Sequence, residues 1–416
     1  MKISKNLLYG SILIILIILQ LYVVSYKVSF FLQLLLIAVI VLNEKLIVKK
    51  LYLKTIIPLI VLTLLGFIGT IINQYQPTDI IKDFIFFTKP IVGLTIAYLI
   101  ASAINNVEKF IRIIIYLGLI CALIHLFIVV FITNHTSIHA IRDYTKDNFV
   151  ELFSIYFLLD YRNIFKKNFI NNKYISRLIL FILIISSFLY FSRMMYVLGG
   201  ILFLAYFGLT RINKLNISVF IGIIFLIIGL FSILNTMNIR RNGSGLEAFL
   251  YKIKISPEEI VKSKVDKNNH KELWDNWRGY EVKRAKALVR SNPGSEIIGN
   301  GHGSLINLKM YAPLGGGKKG LKYISHLHNG YGFLYYKLGF VGLIIYIIFL
   351  ARIYLIGQIK NNKIATIISC IGLIYFFTSL TITGVYNQSE NLILILGGLI
   401  FYYSPIHISK KEIVNE

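Results

Sequence analysis

Unbroken apolar stretches, most of them long enough to cross a bilayer, recur along nearly the whole chain and leave few folds open to it. A helical span needs about 20 apolar residues. Backbone placed in hydrocarbon must satisfy its own hydrogen bonds, and a helix does this within one segment. The chain is 56% hydrophobic with a mean hydropathy of +0.70, far from the balance of soluble domains. The expected fold class is therefore an all-α polytopic membrane protein. Runs bounded by charge or turn residues fall at about 7–26, 28–43, 55–73, 86–104, 111–132, 148–160, 177–191, 195–210, 217–235, 329–357, 364–383 and 391–406, which predicts about twelve transmembrane helices. The sixth run is short and carries Glu151. The first is too long for a signal-peptide core and lacks a small-residue cleavage site after it, so it reads as a retained span.

Basic residues in short loops orient such a chain, with Lys and Arg held on the cytoplasmic side. Lys2 and Lys5, the cluster from Lys45 to Lys54, Lys109 with Arg112, and the run from Arg162 to Arg177 fall on one side of a twelve-span arrangement. So do Arg211 with Lys214, Lys360 with Lys363, and Lys410 with Lys411. Both termini are expected in the cytoplasm. The chain then divides into spans one to nine over 1–235, one large periplasmic loop domain over 236–327, and spans ten to twelve with a cytoplasmic tail over 328–416. Topology also accounts for much of the formal charge of +25, so nucleic acid is not an expected partner. Cys121 and Cys370 lie inside apolar runs, as small packing residues do. The large loop still carries 17 Lys and Arg against 8 Asp and Glu. Long loops escape the orientation rule, and this excess suits anionic lipid headgroups or a diphosphate ligand.

Within the loop, Lys271 to Arg290 reads as a helix with Trp274, Trp277, Glu281, Ala285 and Leu288 on one stripe. Asn292-Pro293-Gly294 ends it. The glycines from Gly299 to Gly303 and at Gly315 to Gly317 mark flexible or tight turns, while Gly199-Gly200 and Gly397-Gly398 suggest close helix packing.

The residues able to carry chemistry gather on the outer side. His328 stands where the loop re-enters the membrane, and a neutral imidazole there accepts a proton from a sugar hydroxyl near neutral pH. His326 lies on the same face of an extended segment, but no carboxylate or cysteine is near it in sequence, so no metal is expected. Arg193 forms the turn between spans seven and eight. Guanidinium forks match phosphate oxygens, which makes Arg193 and Arg278 the candidate diphosphate clamp, with Arg142 and Arg290 behind them. Trp274 and Trp277 serve as sugar-stacking platforms or interface anchors. A transporter of lipid-linked oligosaccharide is an alternative, but it would show two similar halves and charges at mid-membrane.

His328-Asn329, nine residues, Gly339, two residues, Gly342 fits the pattern His-[Asn/Ser/Gln]-x9-Gly-x-x-[Gly/Thr/Tyr] of bacterial O-antigen ligases and related polymerases. Ser192-Arg193 opening an apolar helix is similar to that superfamily as well. So is the succession Arg278-Gly279-Tyr280-Glu281, Asn292-Pro293, Gly299-Asn300-Gly301-His302-Gly303. The resemblance implies a GT-C-like, metal-independent membrane glycosyltransferase without cofactors, in the bacterial inner membrane. Its donor would be an oligosaccharide on undecaprenyl diphosphate, its surroundings membrane lipids, and its partner a chain-length regulator. His328 would act as base or orienter, Arg193 and Arg278 would hold the diphosphate, and Asn329, His326, His302, Arg142, Arg290, Trp274, Trp277 and Tyr280 would be candidate substrate contacts. A repeat-unit polymerase moves the growing glycan onto the next lipid-linked unit, and a ligase moves the finished chain onto lipid A core. The aromatic, Lys/Asn/Ile-rich texture of the sequence favours the polymerase.

Overall fold

The computed structural model describes residues 4–22, 25–133, 147–241, 243, 245–261, 269–314, 320–359, 362–387 and 390–403. Every one of the predicted runs forms a helix. They are α1 (Lys5–Tyr22), α2 (Tyr26–Asn43), α3 (Lys50–Asn73), α4 (Pro77–Ile104), α5 (Val107–Phe127), α6 (Phe149–Phe165), α7 (Lys173–Leu189), α8 (Arg193–Tyr206) and α9 (Lys214–Thr236). After the loop come α15 (Gly330–Ile359), α16 (Lys363–Thr381) and α17 (Leu392–Tyr402). Among the described residues, 8 helices are long and apolar enough to cross a membrane, and α8 and α17 are shorter apolar helices. Asparagine starts many of these helices. The side chains of Asn106, Asn148, Asn172, Asn213 and Asn362 each accept from a backbone amide of the first turn, meeting donors that a helix leaves unpaired.

Two elements depart from expectation. The fourth run was placed at 86–104, yet α4 begins at Pro77 with Asp79 in its first turn. Proline at the first helical position loses nothing, because its missing amide would be unpaired there anyway. Asp79, Lys82 and Asp83 mask this start in a hydropathy reading. The loop helix expected over Lys271 to Arg290 is two helices, α12 (His270–Asp275) and α13 (Trp277–Arg290), divided at Asn276. The loop also holds α10 (Leu246–Lys254), α11 (Ser256–Val261), α14 (Ser295–Ile298) and one antiparallel hairpin, β1 (Ile306–Ala312) with β2 (Leu321–Ile324). Glu151, the polar residue of the sixth run, is fully buried and takes hydrogen bonds from Ser186 at 2.6 Å and Tyr190 at 2.7 Å. Its partners on and beside α7 explain how α6 tolerates a carboxylate. Gly397 and Gly398 press against Leu94 and Phe110 as expected, whereas Gly200 faces open space.

The loop is not held apart from the bundle. Residues 299–303 run into it between α3 and α15, where both helices make room. On α3, a methyl group at Gly69 would meet the Gly301 amide nitrogen at 2.6 Å. On α15, Gly339 sits at φ 64°, and this non-helical residue kinks the helix; for a residue with a β-carbon that conformation is costly. The kink frees carbonyls from the helical ladder. Those of Tyr336 and Lys337 accept from the amides of Asn300 at 3.0 Å and Gly301 at 2.8 Å. The loop thus supplies the hydrogen bonds that the kinked helix lacks.

A buried ion pair locks this junction. Lys337 of α15 is fully buried and donates to Asp83 of α4 at 2.5 Å and to the Ser304 carbonyl at 2.6 Å. The same Asp83 oxygen accepts from the Gly303 amide at 2.7 Å. Removing one partner of a buried pair strands the other charge and costs about 3–5 kcal/mol. Lys337→Ala should therefore lower the thermal midpoint of the detergent-solubilised protein by several degrees, while Lys286→Ala on the exposed side of α13 should leave it in place. Equal midpoints for the two variants would show that the pair does not hold the loop.

Candidate functional site

His328 ends the loop two residues before α15 begins. Its backbone amide donates to Glu281 Oε2 at 2.9 Å, and its ring Nδ1 lies 3.0 Å from Oε1 and 3.1 Å from Oε2 of the same carboxylate. Glu281 is 1% exposed, whereas the imidazole is 52% exposed. A carboxylate at Nδ1 accepts the Nδ1–H, so the lone pair stands on Nε2, on the open side. The buried partner fixes both the tautomer and the direction of the ring. Glu281 comes from α13, the helix whose apolar stripe it interrupts. A carboxylate on such a stripe needs a buried partner, and this was the signal in the sequence; the partner lies 47 residues away.

The two arginines expected to act together are brought together. Arg193 opens α8, donating through Nη1 to the Lys252 carbonyl at 2.8 Å and to Ser256 Oγ at 2.5 Å. Its Nη2 lies 2.9 Å from Glu259 Oε2, and Arg278 Nη1 pairs with the other oxygen of Glu259. Both guanidiniums line a cavity of about 360 Å³, with Tyr196, Phe231, Phe249 and Ile253 among its apolar walls. The cavity and His328 share supports on both sides. Arg278 and Glu281 lie one turn apart on α13 and so on one face. Thr381 and Ile382 line the cavity at the end of α16. There the Leu380 carbonyl accepts from Asn329 Nδ2 at 2.9 Å and the Ile382 carbonyl from the Gly330 amide at 3.3 Å.

The remaining candidates are dispersed. Asn329 caps α15, its Oδ1 accepting from the Gly332 amide at 2.7 Å. His326 lies over Phe86 with ring centroids 3.9 Å apart, and its Nε2 is 3.9 Å from Asp83 Oδ1. Burial pushes its pKa down to about 4, so it is neutral around neutral pH. His302, read as part of a flexible or tight turn, is fully buried. Its Nε2 lies 2.9 Å from the Thr63 carbonyl and its ring covers Gly66, so the geometry gives it a packing role. Burial lowers its pKa also. Tyr280 is buried and its hydroxyl donates to the Leu308 carbonyl, tying α13 to the hairpin. Trp277 is buried beside Trp274, which is 37% exposed, with ring centroids 5.1 Å apart. Arg290 is exposed at the far end of α13, and Arg142 lies outside the described residues. Asp83, Lys337 and Glu259 were not anticipated. Lys337 was visible as a cation inside an apolar run, but its partner is 254 residues away. Among the described residues no group of three or more His, Cys, Asp or Glu stands ready to hold a metal ion.

Fold and site together define a polytopic helical membrane protein with a histidine–carboxylate pair beside an arginine-lined cavity. A family model described as O-antigen ligase matches residues 178–347, a stretch that contains Arg193, Arg278, Glu281, His328, Gly339 and Gly342. The resemblance to the O-antigen polymerase and ligase superfamily is thus borne out over that stretch. No curated protein and no solved structure matches the chain.

The exposures of the histidines predict their reactivity. Diethyl pyrocarbonate acting on the folded protein should acylate His328 at its open Nε2 and spare His302 and His125, which are 0% and 1% exposed. Peptide mass spectrometry reads the order, and faster loss of His302 than of His328 would contradict this placement.

Proposed function

We propose that this chain is a membrane glycosyltransferase that moves a glycan from a polyprenyl diphosphate to a sugar hydroxyl, acting as an O-antigen repeat-unit polymerase. The observation that carries this reading is the pairing of His328 with buried Glu281, one helical turn from Arg278 and its companion Arg193. The acceptor hydroxyl oxygen attacks the anomeric carbon and its proton passes to His328 Nε2. Glu281 steadies the imidazolium that forms, as a buried carboxylate does for a histidine base. The bond from the anomeric carbon to the diphosphate oxygen breaks, and Arg193 and Arg278 stabilise the charge gathering on the leaving group.

The family match supports polymerase or ligase chemistry in general. The polymerase is preferred for the aromatic, Lys/Asn/Ile-rich texture of the sequence, and the O-antigen ligase family that the chain matches favours a second reading as the ligase that places polymer on lipid A core. In either case the loop side would face the periplasm of the inner membrane, the donor would be an undecaprenyl-diphosphate-linked glycan, and a polymerase would work with a chain-length regulator.

Deleting the gene and running lipopolysaccharide gels separates the two. A polymerase deletion leaves core with a single repeat unit, and a ligase deletion leaves bare core with polymer stranded on its carrier. Complementation with His328→Ala at normal protein level should fail, and Glu281→Gln should reduce transfer by about 10²-fold or more, within the range of a general base. Arg193→Lys keeps the charge but loses the fork, so polymer should fall sharply. Full-length polymer from His328→Ala would sink the assignment.

A further inference from the structure

A second cavity, of about 310 Å³, lies at the opposite end of α9 from the loop. Leu204 of α8, Phe220 of α9, Tyr354 of α15 and Phe377 of α16 are among its walls, with Arg211 of the α8–α9 turn beside them. It is separate from the arginine cavity, since Phe220 and Phe231, one at each, are about three turns apart along α9. The apolar window of α9 has 0% of its residues buried within the protein, and a spanning helix of that kind is covered by hydrocarbon. We propose that this cavity seats the acyl chain of an anionic phospholipid whose headgroup is held by Arg211 and Lys214.

The polar edge of the cavity decides the headgroup. Its carbonyls are already engaged: those of Gly208 and Arg211 accept from Asn216 Nδ2 at 3.0 and 2.9 Å, and that of Thr210 accepts from the Tyr354 hydroxyl at 2.9 Å. The cation of a choline or ethanolamine headgroup therefore gains little there. Positive charge is supplied twice, by Arg211 and by exposed Lys214. The helices α8, α9, α15 and α16 and the α8–α9 turn contain no Asp or Glu. On α6, which packs against α8, Asp160 is held by Lys363 at 3.1 Å and by Asn163. Arg211 touches the Thr366 hydroxyl, a neutral group, at 3.5 Å. A guanidinium matches phosphate oxygens, and basic pockets between spanning helices take anionic headgroups. The phosphate also lies at the start of α9, where the helix dipole favours an anion and where Lys214 without one opposes it.

The full-length protein in phosphatidylcholine nanodiscs tests this with brominated lipids, whose bromines quench a nearby tryptophan. Phe220→Trp puts the reporter at the cavity. Phe225→Trp, at a position 69% exposed on the same helix, reports the general lipid surround. The unaltered protein, with Trp274 and Trp277 alone, supplies the background. Brominated phosphatidylglycerol should quench the Phe220→Trp protein at about fivefold lower content than brominated phosphatidylcholine, while the two lipids quench Phe225→Trp alike. Adding Arg211→Gln with Lys214→Gln should remove the preference at Phe220→Trp. Equal quenching there by the two lipids overturns the proposal before any charge is altered. A preference of the same size at Phe225→Trp overturns it too, because that is general accumulation around a basic protein. So does a preference that survives the loss of both charges. Free glycerol 3-phosphate should leave the quenching unchanged, and relief by it would show a seat for a soluble phosphate instead of a lipid.

Discussion

The architecture depends on a single repair of broken backbone. Gly339 breaks α15, and the segment 299–303 enters the gap, its amides taking the carbonyls that the break releases. An unpaired backbone group in an apolar interior costs several kcal/mol, so helix and loop each make the other tenable. The glycines on both sides follow from this: backbone lies against backbone at Gly69 and Gly301, where a β-carbon would collide. Asp83 and Lys337 then close the junction from α4 and α15, each with a backbone group of the loop as an added partner. What reads in the sequence as spaced histidine and glycines is, physically, a helix that starts just after His328 and bends at Gly339, where a residue without a β-carbon lets the loop in.

Because the loop is anchored inside the bundle, the site above it is built on supports that share one frame. The helix α13 carries Glu281 and Arg278, and it is tied to the hairpin through Tyr280 and through Arg284, whose Nε donates to the Asn307 carbonyl at 2.9 Å. The end of α16 holds Asn329 and lines the arginine cavity. Glu281, the partner of His328, and Arg278 thus keep a fixed separation on one helix, which the proposed transfer between two bound groups would ask of the protein.

The helices were legible because hydrocarbon imposes a length and an apolar composition that no soluble segment of this kind shares. Even the run that carries Glu151 forms its helix, since Ser186 and Tyr190 satisfy the carboxylate. The start of α4 was hidden because its first turns are polar, and Asp83 belongs to the loop junction rather than to lipid. His328, Arg193 and Arg278 were legible as residue types in a telling position. Their carboxylate partners were not, because Glu281 and Glu259 meet them only through folding, across separations that no local pattern records. The surroundings of His302 were hidden for the same reason: its glycine-rich stretch reads as a flexible or tight turn, and only folding brings Gly66 of α3 beneath its ring.

One helix follows a different rule. Among the described residues α9 buries only Asn216, near its first turn, and presents the rest of its length outward. It is held at its ends, by Asn216 to the Gly208 and Arg211 carbonyls and by Lys254 to the Asn235 carbonyl, and packs little between them, which leaves its tilt open to matching with the hydrophobic thickness of a surrounding bilayer. Phe231, a wall of the arginine cavity, rides on that helix. The width of the cavity is accordingly a property shared with the lipid: a thicker or thinner membrane retunes one wall of the site without touching a residue of the other.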